Sequence, residues 1–307
     1  MNPNKRDAFK IVSMRDIEDD NWGELIIYNP LKSDLNNTRL NICLFCAYSF
    51  GYLALKQIVS DIESKMDCNI SLVVTDDPTS KFSRINKNKR HWKHYNEEER
   101  ELIFLDIKNT STSNSINFYT GSIKSNYFLS FFNKLNIDLI LVAGFGQILS
   151  ENIIKKACYG CFNFHPGLEL ETEKYRGVDP FNHMLKNNDP FTFMNLHHVS
   201  DVVDGGKLAA KSIPINISLQ DKTVDDFTKR MLIYEKATSA TAYMAKNIIQ
   251  EALKRHQSKN REKIDSISVN SQIKKDIKKF LEEPIVENKY KFTRPSESPL
   301  LHFMISK

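Results

Sequence analysis

Asn163 and His165 stand two residues apart in Cys161-Phe162-Asn163-Phe164-His165-Pro166-Gly167, and Asp204 stands in Asp201-Val202-Val203-Asp204-Gly205-Gly206. Side chains alternate along a strand, so Asn163 and His165 share one face, and Pro166 and Gly167 end the strand beyond them. An amide and an imidazole side by side can grip one carbonyl oxygen. Transfer of an acyl group to an amine passes through a tetrahedral oxyanion, which needs hydrogen-bond donors at that oxygen and an acceptor for the amine's proton. Asn163 and His165 supply the donors. Asp204 supplies the acceptor, because the glycines after it let the chain turn tightly and bring a carboxylate back over the sheet. A carboxylate near His165 is also expected to raise that histidine's pKa. Taken singly, each residue has an ordinary explanation as a hydrogen-bonded strand end or a turn residue.

These side chains need a scaffold that delivers them to one edge. Residues 40–47 (LNICLFCA) are a continuous apolar run, the pattern of a strand buried on both faces. Residues 51–65 carry apolar residues at helical spacing, and 70–75 (ISLVVT) return to a β-branched run, completing a βαβ unit. A polar excursion over 76–100 precedes a third predicted strand at 102–107, a Ser/Thr/Asn-rich connection and a helix around 125–135. Residues 138–143 (DLILVA) form the fourth strand; a short helix starts at Ser150, and the fifth strand carries the Asn163/His165 pair. The alternation predicts an α/β fold with a doubly wound, mainly parallel sheet, where ligands bind beyond the carboxyl ends of the strands. Residues 191–199 and 207–215 read as two strands joined by the Gly-Gly turn, and 223–254 as a long helix. Three regions are expected: an N-terminal extension (1–38) with one short strand at 24–28, a catalytic domain (39–255), and a C-terminal appendage (256–307) with a short helix at 272–282.

The ordered motifs make the chain similar to the folate-dependent formyltransferases. The resemblance runs through LILVAGFGQILS (139–150), GCFNFHPGL (160–168), YRG (175–177) and LHHVSDVVDGG (196–206), and covers roughly 39–250. It is nearest in wording to the glycinamide ribonucleotide branch; methionyl-tRNA and amino-sugar formyltransferases share the catalytic plan. The resemblance implies a Rossmann-like core and N10-formyltetrahydrofolate as co-substrate. Asn163 and His165 would polarise the formyl carbonyl, and Asp204 would orient His165 and help remove the amine's proton. The pterin would lie between Phe145, Gly146, Gln147, Ile148 and Leu149 on one side and Val199, Asp201 and Val203 on the other, held mainly through the backbone. Tyr48, Phe50, Tyr175 and Arg176 are the residues expected to meet the acceptor.

Departures from the family pattern bear on that acceptor. Ala47-Tyr48-Ser49-Phe50-Gly51-Tyr52 replaces the small phosphate loop of the glycinamide ribonucleotide enzymes, where a helix N-terminus can bind an anion. An acidic loop, Gly167-Leu168-Glu169-Leu170-Glu171-Thr172-Glu173, follows the histidine. The C-terminal remainder is about half of a typical methionyl-tRNA enzyme's extra domain, and 38 residues before the first strand are too few for the regulatory domain of the formyl-folate hydrolases. The expected acceptor is therefore a primary amine on an amino-sugar nucleotide. Alternatives are hydroxyornithine or another amino-acid amine, glycinamide ribonucleotide, hydrolysis of the formyl-folate, and non-catalytic binding of folate or a sugar nucleotide.

Composition sets outer limits. Apolar residues at 41%, aromatics at 10% and charged residues at 26% describe a globular chain of 307 residues. Net charge is +5 and the lysines are spread, so nucleic acid is not an expected partner; the densest basic stretch, 81–94, reads as a solvated loop. No run approaches ~18 apolar residues and the N-terminus lacks a signal-peptide core, so a cytoplasmic protein without membrane contact is expected. Five cysteines, an odd number, are expected to be reduced. Cys43/Cys46 and Cys158/Cys161 have zinc-like spacing, but the first pair lies in a core strand and points to opposite faces, so no metal is expected. Of His197 and His198, neighbours on a strand, one is expected to be structural. A homodimer is left open.

Overall fold

The computed structural model describes residues 9–15, 22–28, 39–63, 66–80, 95–168, 175–177, 180–218, 226–269, 273 and 275–284. Five strands build a parallel centre: β3 (Leu40–Cys46), β4 (Cys68–Thr75), β5 (Phe118–Gly121), β6 (Leu139–Ala143) and β7 (Gly160–Pro166). Two N-terminal strands, β1 (Phe9–Arg15) and β2 (Trp22–Tyr28), join antiparallel on one side, and β9 (Met194–His198) and β10 (Leu208–Lys211) on the other. The resulting order is β1-β2-β5-β4-β3-β6-β7-β9-β10. From β3 the chain winds outward through β4 to β5, then returns to β6 and winds the other way. The carboxyl ends of β3 and β6 therefore flank a topological switch point, where an open α/β sheet leaves a crevice.

Both faces of the sheet are covered. Ile42, Leu44 and Cys46 join one buried cluster with α1 (Tyr48–Glu63), α2 (Glu97–Ser113), α5 (Pro180–Asn187) and α6 (Asp226–Gln257). Cys43 and Phe45 join the other, with α3 (Asn126–Phe132) and α4 (Glu151–Lys155). Cys43 and Cys46 thus fall on opposite faces, and all five thiols are free. This alternation with full burial is why β3 reads as an unbroken apolar run rather than a half-polar one.

The expected strand at 102–107 is instead the middle of α2. Asn96 accepts a hydrogen bond from Glu99 N at 2.8 Å and Glu99 Oε2 accepts from Asn96 N at 2.9 Å, a capping box that starts a helix led by three glutamates. Its buried residues, Ile103, Phe104, Ile107 and Ser111, recur at helical spacing. The third strand is β5, inside the segment expected to be a connection. The 191–199 run also splits: β8 (Phe191–Thr192) pairs with β11 (Ile215–Asn216) in a separate two-stranded sheet, and only β9 continues on β7.

The described parts of the outer regions are fastened to the core. β2 pairs with β5 over Gly23–Ile26, and Lys108 reaches Glu24 at 2.7 Å. Beyond α6, Ile264 N donates to Tyr159 O at 3.0 Å and Ile267 N to Ala209 O at 3.0 Å, so this segment straps back over the sheet. The predicted 272–282 helix is α7 (Lys275–Glu282), with Leu281 buried. Residues 81–94 lie outside the described residues, as do 16–21 and everything after 284.

Candidate active site

Asp204 is the hub. Its Oδ1 accepts from Asn163 Nδ2 at 3.0 Å and its Oδ2 from the backbone N–H of Gly177 at 2.9 Å. His165 Nδ1 stands 3.5 Å from Oδ2, and His197 Nε2 stands 3.6 Å from Oδ1. The hairpin that delivers Asp204 has steric requirements. Asp204 sits at φ 50°, and a Cβ on Gly206 would fall 1.7 Å from the carbonyl oxygen of His198. Only glycine lets the turn lie that close to β9.

The neighbours of each ring fix which hydrogens it offers. The carbonyl of Tyr175 accepts from His165 Nε2 at 2.6 Å, so Nδ1 is the His165 atom left for proton handling. His197 Nδ1 donates to the carbonyl of His198 at 2.9 Å, which leaves its Nε2 to accept from Asn163 Nδ2 at 3.2 Å. Asn163 therefore gives both amide hydrogens to protein partners, and Asp204 dictates which end of the amide is the NH2. Burial pushes the His165 pKa down; Asp204 and the Tyr175 carbonyl oppose this without overcoming it. The expected rise is thus corrected to a fall, because removing an imidazolium from water outweighs one carboxylate at 3.5 Å. Burial alone would raise the Asp204 carboxyl; His197 and His165, both protonated in the acid range where this carboxyl titrates, and the Gly177 N–H together outweigh it and lower the pKa to about 2.

A cavity of about 400 Å³ opens over this hub. It is lined by all eight residues expected at the folate wall, and by Tyr48 and Phe50. Ile148, Val202 and Val203 are its exposed apolar rim, at 65%, 54% and 55% exposure. Gln147 faces the cavity, but its side chain is spent inside the protein: Nε2 donates to Asp76 Oδ1 and Gly121 O, and Oε1 accepts from Ile123 N. Gly146 N donates to the buried carboxylate of Asp76 at 2.6 Å. Val199 N donates to Cys161 O. Among the described residues no group of three or more His, Cys, Asp or Glu could hold a metal, and no helix is long and apolar enough to cross a membrane.

Comparison with known proteins decides the family: a model described as formyl transferase matches residues 47–243, well over half the chain. The chain belongs to the formyl transferase family. It is 34% identical over 112 residues to the methionyl-tRNA formyltransferase of Agathobacter rectalis, covering 36% of this chain and 35% of that protein. It is 25% identical over 218 residues to the bifunctional polymyxin resistance protein ArnA of Wigglesworthia glossinidia brevipalpis, covering 70% of this chain and 28% of that protein. The chain thus spans about a third of the length of these curated relatives. The fold is that of glycinamide ribonucleotide transformylase 1 from Geobacillus kaustophilus, at TM-score 0.50 and 13% identity over 70% of this chain and 99% of that one.

In this family member, two expected acceptor residues sit elsewhere than the cavity wall. The Tyr175 ring is buried with its hydroxyl on Asp189 at 2.7 Å, and only its carbonyl addresses the site, through His165. Arg176 is half-buried and does not line the cavity. Three contributors were not assigned from sequence. His197 is the inward member of its pair, while His198 packs on Phe162 and donates to Asp265 O. Asn195, fully buried, ties down the end of β7 by donating to His165 O at 3.2 Å and Gly167 O at 2.9 Å. Asp76 braces the Gly146–Gln147 segment of the cavity wall. The register Asn163↔His197 would have found the first of these, since paired residues share a face.

Proposed function

We propose that this protein transfers the formyl group of N10-formyltetrahydrofolate to a primary amine, that of an amino-sugar nucleotide. The observation that carries the reading is the meeting of Asn163, His165 and Asp204 at 3.0 and 3.5 Å on the floor of one cavity. The donor fits the rim: a flat heteroaromatic ring finds Ile148, Val202 and Val203 exposed on opposing segments, with Asp201 beside them to meet polar ring edges. When bound, the folate supplies an activated one-carbon acyl group at N10.

The chain's own residues do the rest. Asp204 is ionised throughout the working range and attracts the positive charge that grows on the amine nitrogen as it attacks. As the new N–C bond forms, the amine's proton passes to Asp204 or, through Nδ1, to His165. The proton ends on N10 as the old C–N10 bond breaks. Protonation of Asp204 also slackens its hold on Asn163, freeing an amide hydrogen for the oxyanion. Nε2 of His165, fixed on the Tyr175 carbonyl, keeps the ring aimed while Nδ1 works.

Tyr48 and Phe50 support the sugar acceptor. Both line the cavity where β3 ends, at 5% exposure, and so occupy the place where a phosphate-binding loop needs small residues. Loss of N10-formyltetrahydrofolate is to be followed spectroscopically with amino-sugar nucleotides, glycinamide ribonucleotide, hydroxyornithine and no acceptor. Loss dependent on an amino-sugar nucleotide supports the reading; loss without acceptor makes the protein a hydrolase.

A further inference from the structure

The short segment Tyr175-Arg176-Gly177 touches both working side chains through its backbone. Its first carbonyl accepts from His165 Nε2 at 2.6 Å, and its last N–H donates to Asp204 Oδ2 at 2.9 Å. His165 Nδ1 and Asp204 Oδ2 stand 3.5 Å apart, so the segment closes a ring around the pair like a clip. The two ends of the imidazole are in competition for one hydrogen. Asp204 draws it toward Nδ1, where the ring could no longer take a proton from the amine; the Tyr175 carbonyl, at the shorter distance, keeps it on Nε2. A clip that slides away from His165 concedes the hydrogen to Asp204.

What holds the clip lies outside the cavity. Tyr175 is buried, and its hydroxyl donates to Asp189 Oδ2 at 2.7 Å, a charge-assisted bond. Asp189 is in turn fixed by the end of α5. Asn188 sits at φ 54°, its N–H donates to Leu185 O at 3.2 Å, and Asp189 N donates to Met184 O at 3.1 Å. These are the two bonds of a Schellman cap, so the carboxylate stands on the rigid close of a helix. Asn187, the last residue of α5, also points Nδ2 at the phenol oxygen, at 3.5 Å. On the strand side, Gly167 lacks the Cβ that would stand 3.0 Å from Tyr175 Cβ, which lets the clip lie against the end of β7. The path therefore runs from the α5 cap to the Asp189 carboxylate, through the Tyr175 hydroxyl to its own carbonyl, and so to His165.

Building on the formyl-transfer reading, we propose that Tyr175 and Asp189 are positioning residues for the reaction, whose phenol–carboxylate bond holds the 175–177 clip and thereby keeps His165 in the Nε2–H tautomer. Neither is among the residues lining the cavity. They act through His165, by leaving the lone pair on Nδ1, the atom that faces Asp204.

The test reads the tautomer directly, by nitrogen–proton NMR of histidine-labelled protein at a pH about two units above the ordinary histidine value, with His165→Gln assigning the signal. Wild type, Tyr175→Phe, Asp189→Ala, Asp189→Asn and the Tyr175→Phe/Asp189→Ala double variant are compared, all below their melting temperatures. Wild type should show the Nε2–H form. Tyr175→Phe and Asp189→Ala should each show the Nδ1–H form appearing, with kcat for formyl transfer down about tenfold to a hundredfold and the KM for N10-formyltetrahydrofolate within about twofold. Asp189→Asn keeps a neutral acceptor for the phenol and should recover part of both losses. The double variant should lose no more than either single one, because both remove the same bond. An unchanged tautomer or an unchanged kcat in a folded Tyr175→Phe overturns the proposal, as does a double variant whose loss is the product of the two singles. A tautomer shift in the variants beside a wild type that transfers no formyl group would leave the clip standing and sink the transfer reading, so the two fail separately.

Discussion

Replacing Asp204 by asparagine keeps the side chain's shape but cannot keep its contacts. The carboxylate accepts on both oxygens, from Asn163 at 3.0 Å and from Gly177 N at 2.9 Å. An asparagine has one acceptor, so its NH2 must face one of those donors, which costs about 1–3 kcal/mol at a buried site. The charge adds to this. The carboxyl is held below its ordinary 3.8, at about 2, so its ionisation stabilises the fold by roughly 2 kcal/mol at neutral pH. Because the folded value is the lower one, that contribution is complete above pH 3.8 and lost as pH falls toward 2. The variant should therefore be less stable than wild type by about 3–5 kcal/mol at pH 7, with the gap narrowing below pH 4; urea unfolding at both pH values measures it. Removing a positioned base lowers rate by about 10²–10⁴. Release of tetrahydrofolate at saturating amine should show kcat down about a thousandfold, with the KM for N10-formyltetrahydrofolate within threefold of wild type. A kcat within threefold of wild type in a folded Asp204→Asn protein would refute the mechanism.

Asp76→Asn should raise the KM for the formyl donor about tenfold with kcat nearly unchanged, because Asp76 holds the folate wall through Gly146 and Gln147 without touching the reacting atoms; an equal fall in kcat at constant KM would contradict it. Gly206→Ala should destabilise the protein by more than about 2 kcal/mol and abolish turnover, since its Cβ meets the His198 carbonyl; a normal melting temperature would show that the turn has room. The His165 pKa is lowered by burial, so the unfolded chain takes up a proton first as pH drops below 6.5, and wild-type stability falls there. His165→Gln should lose less stability than wild type between pH 7.5 and 5.5, and an identical slope in the two proteins would refute the shift.

The parts of this molecule that could be read from sequence are those whose pattern is local. β3 and β6 are apolar runs buried on both faces, and the Asn163–His165 alternation on β7 survives because register fixes a strand's face. What escaped was decided by competition or by distance. Residues 102–107 look like a strand in isolation, but the Asn96/Glu99 box upstream commits them to a helix. His165's titration turned on how much water the closed fold excludes, which motif spacing does not carry. Tyr175 matched a motif for its side chain, yet acts on the site through its carbonyl. Asp76 and Asn195 are ordinary polar residues until the fold buries each against the loop or strand end it holds.

The pairing of β2 with β5 has a consequence for how this chain comes off the ribosome. Gly23 must find Gly121, and between them the chain has to build β3, α1, β4 and α2. Synthesis delivers β1 and β2 before β5, and they have no edge of the sheet to join until β5 is made, so a segment translated earlier is fixed later. The hairpin also covers the flank of β5, which would otherwise present a row of unpaired amides and carbonyls. It works as a seam sealed late: a chain shorn of it would carry the whole cavity and still be prone to stick to its own copies along that open edge.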